Sequence, residues 1–170
     1  MAMVITTQIQ NNFCYDCEAP INNQIQLQLY AAYVYLSMAF YCDRKEVDLG
    51  HFSRFFLQQS HKWTQQSKKL LWIQEERGSH VSLNRIDKPK DHNWHGIFQV
   101  IEYAFNLEIA ITESLLELYH LATRRRDAQL SNFLKHHCLP QQLETLEELD
   151  SFLMNLRKIW ARRGLENLVK

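Results

Sequence analysis

The sequence predicts an all-α protein, a single four-helix bundle with one long crossover connection. Glycine and proline are scarce, with 4 and 3 among 170 residues, or about 4% where average composition gives about 12%. Sheets need many tight turns, so an all-β fold is excluded. The glycines separate long stretches whose apolar residues recur every three, four or seven positions, as in bundle helices. The content of 46% hydrophobic and 22% charged residues excludes a disordered chain.

The first helix is predicted over Asp16–Cys42. Its inward stripe is marked at seven-residue intervals by Ile21, Gln28, Tyr35 and Cys42. The stretch 21–42 carries no charge and approaches the length of a membrane span. Asn and Gln residues fill its first third, however. We therefore interpret it as a buried helix and expect no membrane association.

Three further helices are predicted. They run over Gly50–Arg77, His95–Thr123 and Asp127–Trp160, and Asp127 is expected to be the N-cap of the last one. Pro140 is expected to kink this fourth helix, because proline removes a backbone donor and crowds the preceding turn. Residues 164–170 begin with a glycine, where helices often end, and predict a short, truncated fifth helix.

The connections predict how the helices are arranged. Residues 44–48 and 124–127 are short links, which make the helices that they join antiparallel neighbours. Residues 78–94 are long enough to cross the length of a bundle. We therefore expect one domain over residues 1–170, with a flexible N-terminal segment at about residues 1–13.

Charge and cysteine content exclude several classes of function. Lys+Arg number 19 and Asp+Glu number 19, so no basic field predicts a nucleic-acid partner. Residues 1–12 lack the features of a secretory signal. We therefore expect Cys14, Cys17, Cys42 and Cys138 to be reduced thiols. No sequence spacing ties the Cys14-x-x-Cys17 pair to the two further ligands that a zinc site needs, and its role stays open.

Five segments closely resemble the heavy-chain subunits of eukaryotic ferritins. They are LYAAYVYLSM at 29–38, FFLQQSH at 55–61, SLLEL at 114–118, LAT at 121–123 and NLRK at 155–158. The similarity extends over about residues 8–165 and identifies the chain as a divergent, heavy chain-like member of the ferritin family. It implies a ferritin-like bundle, a 24-subunit cage, a role in iron storage and a cytoplasmic location, while leaving a nuclear location open. The implied partners are copies of this chain, or ordinary ferritin heavy and light subunits.

The resemblance also maps the family's ferroxidase site onto this chain. The glutamates and histidine of the first two helices fall on Gln28, Trp63 and Gln66, so those ligands are lost, whereas Tyr35, Glu108 and Gln142 are kept. Amide oxygens are weak ligands for iron, and an indole offers only an N–H donor. The resemblance therefore implies a catalytically silent subunit that requires no cofactor. Iron would bind weakly, at a residual site formed by Glu108, Gln142 and Tyr35.

The same residues also fit a repacked polar core without metal. Gln28, Gln66 and Gln142 are expected to hydrogen-bond to one another and to Glu108, a buried carboxylate that needs a partner. Lys62 is the nearest cation in sequence, and we expect it to be able to reach this region around its helix.

The remainder of the family's iron route is altered as well. By resemblance, the glutamates that nucleate mineral fall on Lys62, Gln65 and Lys68. The acidic residues of the three-fold pore fall on Asn132 and Lys135. Both changes replace a field that attracts Fe(II) with one that repels it.

Three classes of function follow from these observations. The first, which we favour, is a silent shell subunit of the iron-storage system. The alternatives are an active ferroxidase with a rearranged site and a cage-forming scaffold no longer used for iron. Glu117-x-x-His120 looks like half of a metal motif, but Glu117 follows Glu108 by nine positions, which places the two on opposite faces of the helix. We interpret it as a surface pair.

Overall fold

The computed structural model describes residues 15–89 and 93–169. Its α-helices are α1 (Glu18–Cys42), α2 (Gly50–Glu76), α3 (Ile97–Arg124), α4 (Ala128–Phe133) and α5 (Leu139–Val169). A 3₁₀ turn (Tyr15–Cys17) precedes α1, and a π-helical turn (Leu134–Cys138) joins α4 to α5. The fourth helix of the bundle therefore consists of α4, the π turn and α5. The described part of the chain contains no strand, and the all-α prediction is confirmed. The segment at about residues 1–13 lies outside the described residues.

The helices pack as a bundle around one continuous core. α1 packs most extensively on α2, α3 packs on α5, and α1 also contacts α3. At one level of the core, phenylalanines of α2 meet one of α5: the ring centroids of Phe55 and Phe152 are 5.2 Å apart, and those of Phe52 and Phe152 are 5.5 Å apart. Both pairs adopt the edge-to-face geometry that aromatic quadrupoles favour.

The predicted crossover runs along α1. Near its start, Asn22 Nδ2 donates to the carbonyl of His80 at 3.0 Å. At its end, Trp94 Nε1 donates to Ser37 Oγ at 3.1 Å. Positions 22 and 37 of α1 are about 22 Å apart at 1.5 Å per residue, so the connection crosses much of the bundle's length.

No helix among the described residues combines the length and the apolar character that a membrane crossing requires.

A buried ion pair joins the end of α2 to the start of α4. The Arg77 guanidinium donates to both carboxylate oxygens of Asp127, at 2.6 and 2.7 Å, and both side chains are buried. Asp127 Oδ1 also accepts from the backbone N–H of Leu130 at 3.2 Å. The predicted N-cap is therefore confirmed.

The C-terminal segment differs from the prediction. α5 continues through Gly164 to Val169, so residues 164–169 do not form a separate fifth helix. A glycine costs only about 1 kcal/mol inside a helix, and Gly164 does not adopt the positive φ that ends a helix at Gly78 (66°). The regular α-helical geometry of the fourth bundle helix is interrupted earlier, at the π turn. There the Pro140 ring crowds the carbonyl four residues before it, and a wider turn relieves such crowding.

The expectation of four reduced thiols is wrong at one position. Cys17 is disulfide-bonded, whereas Cys42 and Cys138 are free and buried. Cys14 lies outside the described residues. The two free thiols lie in the hydrophobic core, where burial raises the pKa of Cys42 to about 11 and that of Cys138 to about 12.

Candidate functional site

A fully buried carboxylate lies at the centre of the bundle. Glu108 of α3 has no exposed surface. Its Oε1 accepts hydrogen bonds from Tyr35 Oη of α1 at 2.6 Å and from Trp63 Nε1 of α2 at 2.9 Å. Its Oε2 accepts from Gln142 Nε2 of α5 at 2.8 Å. Each neighbouring helix thus contributes one donor, and the carboxylate is satisfied without a metal.

The helical periodicity explains why these residues meet. Gln28 and Tyr35 are both buried residues of α1, seven positions apart, and therefore lie on one face two turns apart. Glu108 and Gln142 likewise belong to the buried stripes of α3 and α5. The three residues kept from the ferroxidase pattern, Tyr35, Glu108 and Gln142, are thus brought together as predicted.

Trp63 gives the site its distinctive chemistry. Its side chain is completely buried, and it is the largest of the fully buried residues. The indole directs an N–H toward Glu108, and this group can only donate, so it cannot serve as a metal ligand. It also occupies core volume at a position where the resemblance implies a carboxylate ligand.

Gln142 is held in one orientation by its neighbours. Besides Glu108, its Nε2 donates to Thr112 Oγ1 at 2.9 Å. Because Thr112 Oγ1 donates to the backbone carbonyl of Glu108 at 2.7 Å, it is an acceptor toward the amide. The Gln142 carbonyl oxygen therefore points away from Glu108, toward α2. Thr112 was not singled out in the sequence, because a threonine within a helix carries no signal of such a bond.

Lys62 occupies the position that this carbonyl faces. Its Nζ donates to Gln142 Oε1 at 3.4 Å and to Thr145 Oγ1 at 3.2 Å. It also lies 4.3 Å from the centroid of the Trp63 ring. Burial lowers the pKa of Lys62, and the nearby Glu108 carboxylate opposes this shift. The expectation that Lys62 can reach the polar core is confirmed.

The three residues of the predicted surface, Lys62, Gln65 and Lys68, therefore differ in exposure. Gln65 and Lys68 are exposed, whereas Lys62 is half-buried with its ammonium against α5. A lysine has a long flexible stem, so its sequence position does not fix the location of its charge.

Two of the predicted glutamines join other networks. Gln28 donates to Ser67 Oγ at 3.3 Å and accepts from Gln24 Nε2 at 2.9 Å. Gln66 donates to Gln141 Oε1 at 2.9 Å, and its own Oε1 has no partner among the described residues. The expectation that Gln28 and Gln66 bond to each other and to Glu108 is wrong. Several rotamers of a glutamine satisfy its amide, and the sequence does not choose among them.

Tyr35 is held protonated by its surroundings. Burial raises the pKa of its hydroxyl well above the ordinary value of 10, and the adjacent Glu108 carboxylate raises it further. The hydroxyl is therefore a fixed donor to the carboxylate, so it does not offer an anionic oxygen to a cation.

These residues do not fit a di-iron centre. Such a centre needs several carboxylate or imidazole ligands with free lone pairs. The one carboxylate here accepts three hydrogen bonds, one neighbour is an indole N–H, and an ammonium lies beside the amide oxygen. Among the described residues, no group of three or more His, Cys, Asp and Glu side chains is placed to hold a metal. The weak site at Glu108, Gln142 and Tyr35 remains a prediction.

The other predicted residues lie on the surface. Asn132 and Lys135 are exposed, at the end of α4 and in the π turn. Asn132 lines an apolar groove of about 450 Å³ beside Trp72. Glu117 and His120 are exposed, as expected for a surface pair. None of these four residues contacts the Glu108 network in the structure.

A comparison with known families gives one further finding. The sequence model of the ferritin family, described as a ferritin-like domain, matches residues 18–159. The match covers most of the chain and includes every residue of the buried network described above.

Proposed function

The chain belongs to the ferritin family, and from this premise we propose that it is a heavy chain-like shell subunit without ferroxidase activity. It acts in cytoplasmic iron storage by assembling into a 24-subunit cage, alone or with ordinary heavy and light subunits. Iron is the cargo of that cage, and this subunit forms part of the shell without oxidising the iron.

The observation that carries the proposal is the saturation of Glu108. Oxidation of Fe(II) at a di-iron site needs carboxylates that bridge and clamp two cations. In this chain the donors Tyr35, Trp63 and Gln142 all point at the single carboxylate. To bind there, a cation has to displace hydrogen bonds to a buried charge, each worth about 1.5–3 kcal/mol.

Surface charge supports the same conclusion. Exposed Lys68 stands where the family's acidic nucleation face would be, and exposed Lys135 stands where the pore would be acidic. Three symmetry-related copies of Lys135 around a narrow channel would repel Fe(II). A mixed shell would therefore take up iron more slowly as its content of this chain rises.

The direct test is stopped-flow oxidation of Fe(II), at two irons per subunit, on a particle first sized by light scattering. We expect a cage-sized particle that oxidises iron at the background rate of the buffer. Oxidation well above background would refute the proposed silence and favour a rearranged active site. The matched comparison is the variant Gln28→Glu, Trp63→Glu, Gln66→His, which returns two carboxylates and an imidazole and should oxidise iron faster than the wild type.

Co-assembly separates a storage subunit from a scaffold unrelated to iron. The chain is mixed, as unfolded subunits, with an ordinary heavy subunit and refolded, and the resulting particles are separated by charge. A continuous series of mixed particles whose iron uptake falls with the content of this chain is the expected result. Two separate homopolymer populations would contradict co-assembly.

A further inference from the structure

We propose that the Lys62 ammonium takes the place of a bound cation in this core, closing the polar site beside Glu108 and keeping divalent metal ions out. This inference rests on the proposed function, because it concerns how the same site is kept silent. Among the described residues, Glu108 is in none of the ion pairs within 4.0 Å. Two groups, the Gln142 amide and the Trp63 indole, contact both Lys62 and Glu108.

The Gln142 amide provides the first of two links. Its oxygen faces the Lys62 ammonium at 3.4 Å, and its nitrogen donates to the Glu108 carboxylate at 2.8 Å. The amide dipole thus has its negative end toward the cation and its positive end toward the anion. Thr112 fixes this orientation from the nitrogen side, as described above, so the dipole is set before any ion arrives.

The Trp63 indole provides the second link with the same polarity. An aromatic ring has a negative face and a positive edge. Lys62 Nζ lies 4.3 Å from the ring centroid, and the ring's N–H donates to Glu108 at 2.9 Å. Cation, ring and carboxylate therefore form an attractive series, and Lys62 stabilises the arrangement best when it is charged.

The position and contacts of Lys62 block access to the oxygen atoms of this site. Its side chain is half-buried, and Thr145 Oγ1 of α5 accepts a further bond from the ammonium at 3.2 Å. The amide oxygen of Gln142, a residue that also contacts Glu108, is thereby engaged. A divalent cation that approached this oxygen would meet a positive charge already in contact with it.

Terbium(III) luminescence tests this exclusion, because an indole at the site sensitises the emission of a bound ion. Lys62→Gln should raise the affinity for terbium(III) about tenfold or more relative to the wild-type particle. Lys68→Gln, an exposed lysine of the same helix, should leave it unchanged, and Lys62→Arg should leave it near the wild-type value. Equal affinities in Lys62→Gln and wild type, or equal gains in the Lys62 and Lys68 variants, would overturn the proposal.

The location of the ion is checked with a second substitution. Adding Trp63→Phe to Lys62→Gln removes the indole at the site and should abolish most of the sensitised emission. Emission that persists would place the ion near another tryptophan and would also overturn the proposal.

A thermal double-mutant cycle measures the coupling of the two charges independently of metal. Lys62→Met and Glu108→Gln should each lower the melting temperature, because each removes the attraction between the two charges. The double variant should melt above the value expected from adding the two losses. Strict additivity would contradict the proposal. A wild-type particle that oxidises iron would refute the proposed function instead, so the two failures are distinguishable.

Discussion

At the residue scale, the site depends on the match between one acceptor and its donors. Glu108 needs compensation because a buried carboxylate without partners is costly. Tyr35, Trp63 and Gln142 each supply a donor within 2.9 Å. Because these donors come from three helices, their hydrogen bonds to Glu108 link α3 to α1, α2 and α5.

The Tyr35 hydroxyl should make a measurable contribution to stability. Tyr35→Phe removes a donor to a buried charge, so we expect the free energy of unfolding in urea to fall by about 1.5–3 kcal/mol. Tyr30→Phe is the matched control, since the Tyr30 hydroxyl meets the Tyr103 hydroxyl at 3.2 Å in a half-buried, neutral pair. The free energy of unfolding of Tyr30→Phe should fall by less, about 1 kcal/mol. Equal losses in the two variants would show that the carboxylate does not depend on Tyr35.

The buried thiols should make the fold sensitive to alkaline pH. Their pKa values are raised in the folded chain, to about 11 for Cys42 and about 12 for Cys138, from an ordinary value of 9. Above pH 9 the unfolded thiols lose protons that the folded ones keep, so their contribution to stability is full below pH 9 and falls as pH rises. The slope approaches about 1.4 kcal/mol per pH unit for each thiol.

Cys138→Ala and Cys42→Ala test this dependence when urea unfolding is measured from pH 8 upward. Each substitution should flatten the alkaline loss of stability, over a wider pH range for Cys138 than for Cys42. Parallel pH profiles for the wild type and both variants would contradict the raised pKa values. The comparison uses slopes, so a constant packing loss from the smaller side chain does not affect it.

The residues around Glu108 could be predicted from the sequence better than the hydrogen-bond partners of the surrounding glutamines. Glu108, Tyr35 and Gln142 could be placed together because helical periodicity fixes which positions face inward. The partners of Gln28 and Gln66 could not, since an amide can turn toward any neighbouring acceptor. Thr112 and Gln141 carry no sequence signal of their hydrogen bonds, which arise only once the helices have packed.

At the element scale, the Arg77–Asp127 pair links two helix ends that are distant in sequence. Asp127 receives two guanidinium bonds and one backbone N–H, so it ties the end of α2 to the first turn of α4. Asp127→Asn keeps an N-cap but removes the charge, and breaking a buried pair in this way costs about 3–5 kcal/mol. Asp127→Ala also removes the cap and should cost about 1 kcal/mol more.

The control for this pair is the exposed bridge between Arg125 and Asp16, whose atoms are 2.7 Å apart. Asp16→Asn should cost less than about 1 kcal/mol, because exposed pairs are screened by water. All three variants are compared by urea unfolding. An Asp127→Asn loss no larger than that of Asp16→Asn would show that the buried bridge is not a strong tie.

Element boundaries were predictable where local rules and packing agree. α1, α2 and α3 begin and end within two residues of the predicted positions, since their stripes bury continuously against neighbours. The C-terminal end was mispredicted because glycine is only a weak helix breaker. Gly164 has open space around it and ordinary helical geometry, so nothing there requires the chain to turn.

At the scale of the whole molecule, the end of α5 exposes apolar surface that a lone subunit does not cover. Trp160 is 69% exposed and Leu168 is 83% exposed, and every residue from 157 to 169 is exposed. Trp160 and Leu168 lie eight positions apart and therefore on the same side of the helix. Exposed apolar side chains on one side of a helix are typical of an association surface, which agrees with the proposed assembly.

Trp160→Ser combined with Leu168→Ser should weaken assembly while leaving the bundle intact. We expect the particle to dissociate into smaller species as it is diluted, at protein concentrations where the wild type stays assembled, because apolar burial supplies much of the association energy. Light scattering and sedimentation over a dilution series measure this change. Arg162→Ser, on the opposite side of the same helix, is the control and should behave like the wild type. Circular dichroism distinguishes dissociation from unfolding, and an unchanged particle size across the series would place the assembly contacts elsewhere on the chain.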